Sequence, residues 1–115
     1  MVGEPNRRAR FEFYDSIPSG RSFGADVFRN LRRWLQDESE NKRKQSISLD
    51  SWEDYAPLEI PHQDNAYDCG LFTIKFGQCL ALDLDLSSYP FGQQHMDQLR
   101  QRAILEMMAG RLQLV

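Results

Sequence analysis

The sequence has few cysteines and few histidines, two of each among its 115 residues. It has no apolar run approaching the length of a membrane span, and no hydrophobic signal-peptide core follows Met1. Its net charge of −3 gives no general attraction to nucleic acid. These absences predict an intracellular protein with neither a membrane nor a nucleic acid as a partner.

The composition is that of a globular protein, with 41% hydrophobic and 27% charged residues. A chain of this length is at most one small domain, or part of one. Two local basic clusters interrupt the acidic balance: Arg29, Arg32 and Arg33, then Lys42, Arg43 and Lys44. We interpret them as the solvated face and end of a helix, in preference to a phosphate-binding patch.

Hydrophobic periodicity predicts an α+β fold with short strands and three helices. Residues 9–14 alternate as in a half-buried strand, and turn residues before them suggest that Met1 and Val2 end an earlier strand pairing with it as a hairpin. Helices are expected over residues 24–40, 69–81 and from Met96 to Gly110, with an extended segment over residues 52–60. The second helix should be buried on more than one side, and the methionines of the third should fill the core.

The two cysteines fall within the second predicted helix, which would separate them by about 15 Å along its axis and so exclude a mutual disulfide. Cys69 lies at the start of this helix, where unpaired backbone N–H groups and the helix dipole favour a thiolate. Asp68 is a plausible N-cap that accepts from the first amides. Gly70 would let a substrate backbone approach closely.

Two further residues could complete a nucleophilic site. Gln63 could donate its side-chain amide to an oxyanion together with the Cys69 backbone N–H, and Asp15, directly after a strand, could orient an imidazolium. The residue types alone leave simpler readings open, because a helical cysteine is usually a small core residue and such an aspartate is usually a turn or cap.

The sequence Gln-Asp-Asn-Ala-Tyr-Asp-Cys-Gly at residues 63–70 resembles the nucleophile motif of the sentrin-specific (SUMO) cysteine proteases. The likeness extends along nearly the whole chain. It includes the Tyr-Asp-Ser segment at residues 14–16, Trp52, Ile60-Pro61, Lys75-Phe76 with Cys79, Phe91, residues 93–96, Arg100, Arg102 and Glu106.

The resemblance implies the C-terminal portion of a papain-like cysteine protease domain, with residues 1–115 as a partial catalytic domain. It makes Cys69 the nucleophile, Asp15 the third triad member and Gln63 the oxyanion donor. It also suggests substrate contacts at Gly70 and, more weakly, at Ile17, for which core packing is the preferred reading. The implied partner is SUMO or a related ubiquitin-like protein and its conjugates, the implied compartment is nuclear or cytoplasmic, and no metal or cofactor is expected.

Two departures from the family pattern affect the expected activity. Ala66 replaces a common glycine and would be strained if that position needs a positive φ. The family's general base, a His followed by Trp on an earlier strand, has no counterpart here, and neither His62 nor His95 matches its position. We therefore expect this chain to be inactive or nearly so by itself. A non-catalytic module that binds a ubiquitin-like modifier, and a protease for a Nedd-type modifier, remain alternatives.

Overall fold

The computed structural model describes residues 9–17 and 24–112, which divide into two compact units, Met1–Leu58 and Glu59–Val115. The first unit holds strand β1 (Arg10–Glu12), helix α1 (Gly24–Asn41) and strand β2 (Glu53–Tyr55). The second holds helices α2 (Cys69–Ala81) and α3 (Met96–Ala109), with two short 3₁₀ turns between them at Leu86–Ser88 and Gln93–His95. The α+β class and the three helices are confirmed, with bounds close to those expected.

The two strands of the first unit are parallel, with Phe11 opposite Asp54 in the ladder. A parallel pair needs a crossover, and α1 provides it between β1 and β2. The predicted hairpin cannot be compared with this arrangement, because Met1 and Val2 lie outside the described residues. The ladder is shorter than the alternating pattern, although the Phe13 N–H still donates to the Tyr55 carbonyl at 2.9 Å.

Helix α1 is held to the strands of its own unit by one aromatic contact and one arginine. The Phe28 ring meets the edge of Phe13, with 6.2 Å between ring centroids. Arg32 donates to the Trp52 carbonyl and pairs with the Asp54 carboxylate, both at 2.8 Å. Arg32 therefore anchors the helix to β2, so the interpretation of its basic cluster as a wholly solvated face is wrong for this residue.

The core of the second unit is a triangle of phenylalanine rings, in which Phe72, Phe76 and Phe91 lie 5.5 to 6.1 Å apart between centroids. Helix α2 contributes a single buried stripe to this core, made of Phe72, Lys75, Phe76 and Cys79. Of its other apolar residues, Ile74 and Leu80 are 60% and 42% exposed, and Leu71 is only partly buried. The expectation that α2 is buried on more than one side is therefore wrong.

Helix α3 ends at Gly110, whose φ of 68° is the left-handed conformation that glycine adopts readily. The predicted end of this helix at Gly110 is thus confirmed. The expected burial of its methionines is only partly confirmed, because Met96 is buried while Met107 and Met108 are 74% and 80% exposed. None of the helices in the described residues is both long and apolar enough to span a membrane.

Candidate active site

Cys69 is the first residue of α2, and its side chain is exposed. The helix begins there because the Phe72 N–H donates to the Asp68 carbonyl at 3.0 Å, which closes the first turn. The Thr73 hydroxyl donates to the Cys69 carbonyl at 2.9 Å. Cys79, ten residues further on, is buried, and burial raises the pKa of its thiol. Both cysteines are free, so the exclusion of a disulfide is confirmed and only Cys69 is accessible to a large substrate.

Asp68 has the N-cap position of α2, but its side chain makes no capping hydrogen bond. The buried carboxylate instead accepts from Asn65 Nδ2 at 2.7 Å, from Gln93 Nε2 at 2.8 Å and from the Arg100 guanidinium. These donors, Asn65 first and then Gln93 with Arg100, hold the pKa of Asp68 below its usual range. The predicted capping role is wrong because three other side chains, one before Asp68 and two far after it, donate to the carboxylate, which makes no hydrogen bond to the first-turn amides of α2.

Asn65 organises the loop before the nucleophile. Its side-chain oxygen accepts from the N–H groups of Tyr67 at 3.1 Å and Asp68 at 3.0 Å, while its Nδ2 donates to the Asp68 carboxylate. One amide therefore satisfies two backbone donors and supports a carboxylate. The chain at residue 66 needs no left-handed conformation, because Ala66 is not among the residues with positive φ. The possible strain at Ala66 is thus ruled out.

Gln63 lies in the same loop with only 6% of its surface exposed. Its Nε2 donates to the Asn65 carbonyl at 2.6 Å, which fixes the side chain and uses one of the two amide hydrogens. Gln63 and Cys69 belong to one unit and are joined by this hydrogen-bonded loop. Donation from Gln63 to an oxyanion stays a prediction.

Two residues outside the eight-residue motif, both later in the sequence, bind this loop and hold it in place. Gln93 accepts from the Asp64 N–H at 2.9 Å through its oxygen and donates to Asp68 through its nitrogen. Arg100, on α3, pairs with the same carboxylate. Their distances of 25 and 32 residues from Asp68 leave no local spacing that could have revealed these contacts.

Asp15 follows β1 in the first unit, whereas Cys69 and Gln63 lie in the second, so a triad between them stays a prediction. One Asp15 carboxylate oxygen accepts from the Ile17 N–H at 2.9 Å. The neighbouring Tyr14 hydroxyl donates to Glu12, and burial followed by this bond raises the pKa of Tyr14. Ile17 is 42% exposed, so the preferred core-packing reading of this residue is wrong.

Gly70, the second residue of α2, is exposed, and a Cβ built on it would meet no atom within 4 Å. The same is true of Gly77 on the same helix. The fold itself therefore does not require glycine at position 70. Any requirement for glycine at position 70 would come from a substrate that approaches Cys69.

The ionised Asp68 should make stability depend on pH. Because its folded pKa is lowered, its contribution is fully present above the ordinary value of 3.8 and is lost as pH falls through the lower folded value. We expect the thermal midpoint of the wild-type chain to fall more steeply than that of Asp68→Asn between about pH 5 and pH 2. Circular dichroism melts across this range measure it. Asp83→Asn, which changes an exposed carboxylate between α2 and α3, should melt in parallel with wild type, and parallel curves for Asp68→Asn would contradict the prediction.

Comparison with known proteins identifies the family of this chain. A family model described as the Ulp1 protease family, C-terminal catalytic domain, matches residues 5–112. A sentrin-specific protease of Caenorhabditis elegans is 31% identical over 103 residues, which are 90% of this chain and 14% of that protein. Sentrin-specific protease 2 of Mus musculus is 36% identical over 84 residues, 71% of this chain and 14% of its own length. A putative ubiquitin-like-specific protease 1B of Arabidopsis thaliana is 31% identical over 103 residues, 90% of this chain and 29% of its length.

The chain thus spans between 14% and 29% of the length of these three relatives. The family match nevertheless covers almost every residue of this chain. The chain belongs to the Ulp1 protease family. The resemblance inferred from the motif is confirmed at this level.

Proposed function

We propose that this chain is the nucleophile-bearing part of a cysteine-type deSUMOylating peptidase domain. Such a domain cleaves after the C-terminal Gly-Gly of a SUMO-like modifier, either maturing it or releasing it from lysine isopeptides. The observation that carries the proposal is the exposed Cys69 at the start of α2, directly after a loop whose side chains are fixed by hydrogen bonds. The names of the relatives, which include sentrin-specific and ubiquitin-like-specific proteases, support the substrate class.

The chemistry follows from the residues of the site. A histidine base, which has no counterpart at the family position in this chain, takes the Cys69 proton, and the thiolate attacks the glycine carbonyl. The Cys69 N–H and the Gln63 amide then stabilise the oxyanion, the imidazolium gives its proton to the leaving amine, and water hydrolyses the thioester. Asp15 would orient the imidazolium of the base. Proposed partners are SUMO and its conjugates, in the nucleus or the cytoplasm.

Capture by an electrophilic modifier tests the proposal directly. SUMO with a C-terminal vinyl sulfone should form one covalent adduct with the chain, visible by intact mass, and none with Cys69→Ala. The matching Nedd-type and ubiquitin probes should react more slowly. Faster capture of the Nedd-type probe would overturn the SUMO assignment, and equal capture by Cys69→Ala would overturn the nucleophile.

The position of the histidines favours a second candidate, a non-catalytic module that binds a ubiquitin-like modifier. His95 Nδ1 accepts from the Gly92 N–H at 3.1 Å, so this imidazole closes the turn before α3. His62 is adjacent to Gln63 and only partly buried. Titration calorimetry distinguishes the candidates, since SUMO binding without any capture by the vinyl sulfone probe favours the module.

We further expect the 115-residue chain alone to show no catalytic turnover. A triad nucleophile without its base loses orders of magnitude in rate, roughly 10⁶-fold when the histidine of a serine-protease triad is removed. Incubation with SUMO bearing a C-terminal fluorogenic amide should release fluorophore no faster than the Cys69→Ala variant. Turnover above that control would show that a residue of this chain, with His62 the first to substitute, serves as the base.

A further inference from the structure

The basic cluster of Lys42, Arg43 and Lys44 is followed closely by a hydroxyl group, that of Ser46. Counted from Ser46, Arg43 lies at position −3, Lys44 lies at position −2 and Ile47 lies at position +1. No other serine or threonine of the 115 residues has basic residues at both the −3 and the −2 position. The proposed peptidase chemistry makes no use of this segment.

The end of helix α1 leaves this segment outside regular structure. The Gln45 N–H donates to the Ser39 carbonyl at 2.9 Å, and Lys44 has a left-handed conformation with a φ of 55°. Such a residue turns the chain away from the helix axis. Residues 44–49 form neither helix nor strand. Another protein can therefore bind Ser46 without unwinding α1.

Ser46 is open to solvent together with the basic residues before it. Ser46, Arg43 and Lys44 are all exposed. Within the described residues, Ser46 makes no hydrogen bond through its hydroxyl or its backbone, and no carboxylate pairs with Arg43 or Lys44. The third cation of the cluster, Lys42, pairs with Glu38 at 3.5 Å. The hydroxyl and the two cations nearest to it are thus available to a partner.

We propose that Ser46 is a phosphorylation site for a basophilic serine kinase. Such a kinase has carboxylates in its substrate groove for the −3 and −2 side chains and an apolar pocket for the +1 side chain, here Arg43, Lys44 and Ile47. Ser46 Oγ attacks the γ-phosphorus of kinase-bound Mg-ATP, and the bond from that phosphorus to the bridging oxygen breaks. ADP leaves, and the hydroxyl proton passes to the catalytic aspartate of the kinase.

Phosphorylation would change the charge at the end of α1. The cluster carries three positive charges, and phosphoserine carries about two negative charges near neutral pH, which leaves a local charge of about +1. A basic surface would become nearly neutral, so its attraction for an acidic partner would weaken. This role does not depend on the nucleophilic role of Cys69.

Phosphorylation of the 115-residue chain in vitro tests the proposal. The probe is Mg-ATP with the catalytic subunit of cyclic-AMP-dependent protein kinase, an enzyme of this specificity. Intact mass should show one added phosphate, and peptide mass spectrometry should place it on Ser46. Ser46→Ala should remove this phosphate. Ser48→Ala, which changes a second exposed serine of the same segment, should keep it.

Substitutions of the basic residues test how Ser46 is recognised. Arg43→Gln should lower kcat/KM for phosphorylation about 100-fold, because a carboxylate in the kinase groove loses its charged partner. Lys42→Gln is the matched control, since it removes a charge of the same cluster from outside the recognised positions. It should change kcat/KM little.

A synthetic peptide with the sequence of residues 40–50 tests whether the folded chain presents the site. With its helices verified by circular dichroism, the chain should be phosphorylated with a kcat/KM within about tenfold of that of the peptide, because the segment is already open. A larger deficit, phosphate on another residue, or equal effects of Arg43→Gln and Lys42→Gln would each overturn the proposal. Capture by the SUMO probe is measured separately, so the two proposals fail independently.

Discussion

Replacing Phe72 with alanine should lower the free energy of unfolding of the second unit by about 3–5 kcal/mol. Phe72 is fully buried, and its ring contacts those of Phe76 and Phe91. Truncation removes the buried apolar surface of a whole ring and leaves a cavity between two remaining rings. Because small proteins are stable by only about 5–15 kcal/mol, this loss should leave helices α2 and α3 largely unfolded at modest urea concentrations.

Urea titration followed by circular dichroism at the helix band measures the effect. Ile74→Ala is the matched control, because Ile74 lies on the same helix and is 60% exposed. Ile74→Ala should shift the urea midpoint little. A shift for Phe72→Ala no larger than that of Ile74→Ala would mean that the ring triangle is not the core of this unit.

Gly70→Leu should reduce capture of SUMO vinyl sulfone by about 100-fold without destabilising the chain. A Cβ at this position would meet no atom within 4 Å apart from its chain neighbours and its own helix backbone, and leucine has a higher helix propensity than glycine. The added side chain would occupy the space next to Cys69 through which the modifier's terminal glycines must come. The loss should therefore be specific to the large substrate.

Gly77→Leu provides the control, since Gly77 is equally open and lies two turns further along α2. It should gain similar helix stability and keep full capture. Iodoacetamide, a small reagent, should still alkylate Cys69 in both variants. Equal capture by Gly70→Leu and Gly77→Leu would show that the substrate does not approach over Gly70.

The helices were predictable from sequence because their signals are local. Apolar spacing marked α1 and α2, and Gly110 marked the end of α3, where only a residue tolerant of the left-handed conformation fits well. The parallel pairing of β1 with β2 was not predictable, because the partner strand comes only after α1 and its connection. Local alternation shows that a strand exists but not what it pairs with.

In the candidate site, too, local features were predictable from sequence and long-range contacts were not. Cys69 and Gln63 are identified by a motif eight residues long, and the structure places both in one loop–helix segment. The mistaken capping role of Asp68 arose because two of its three side-chain partners, Gln93 and Arg100, are far away in sequence. The exposure of Met107 on α3 could not be foreseen either, since periodicity marks an apolar face without saying whether anything covers it.

The placement of the two thiols also governs how this protein would respond to oxidants. Cys69 is exposed, while Cys79 is buried with a raised pKa, so peroxide should convert Cys69 to a sulfenic acid first. The two residues stand ten positions apart on one rigid helix, about 15 Å along its axis, and these are the only cysteines of the 115 residues. A sulfenic acid at Cys69 thus has no resolving thiol within reach on this chain. Its return to the thiol depends on a reductant from outside, such as glutathione, and otherwise it proceeds to the irreversible sulfinic acid.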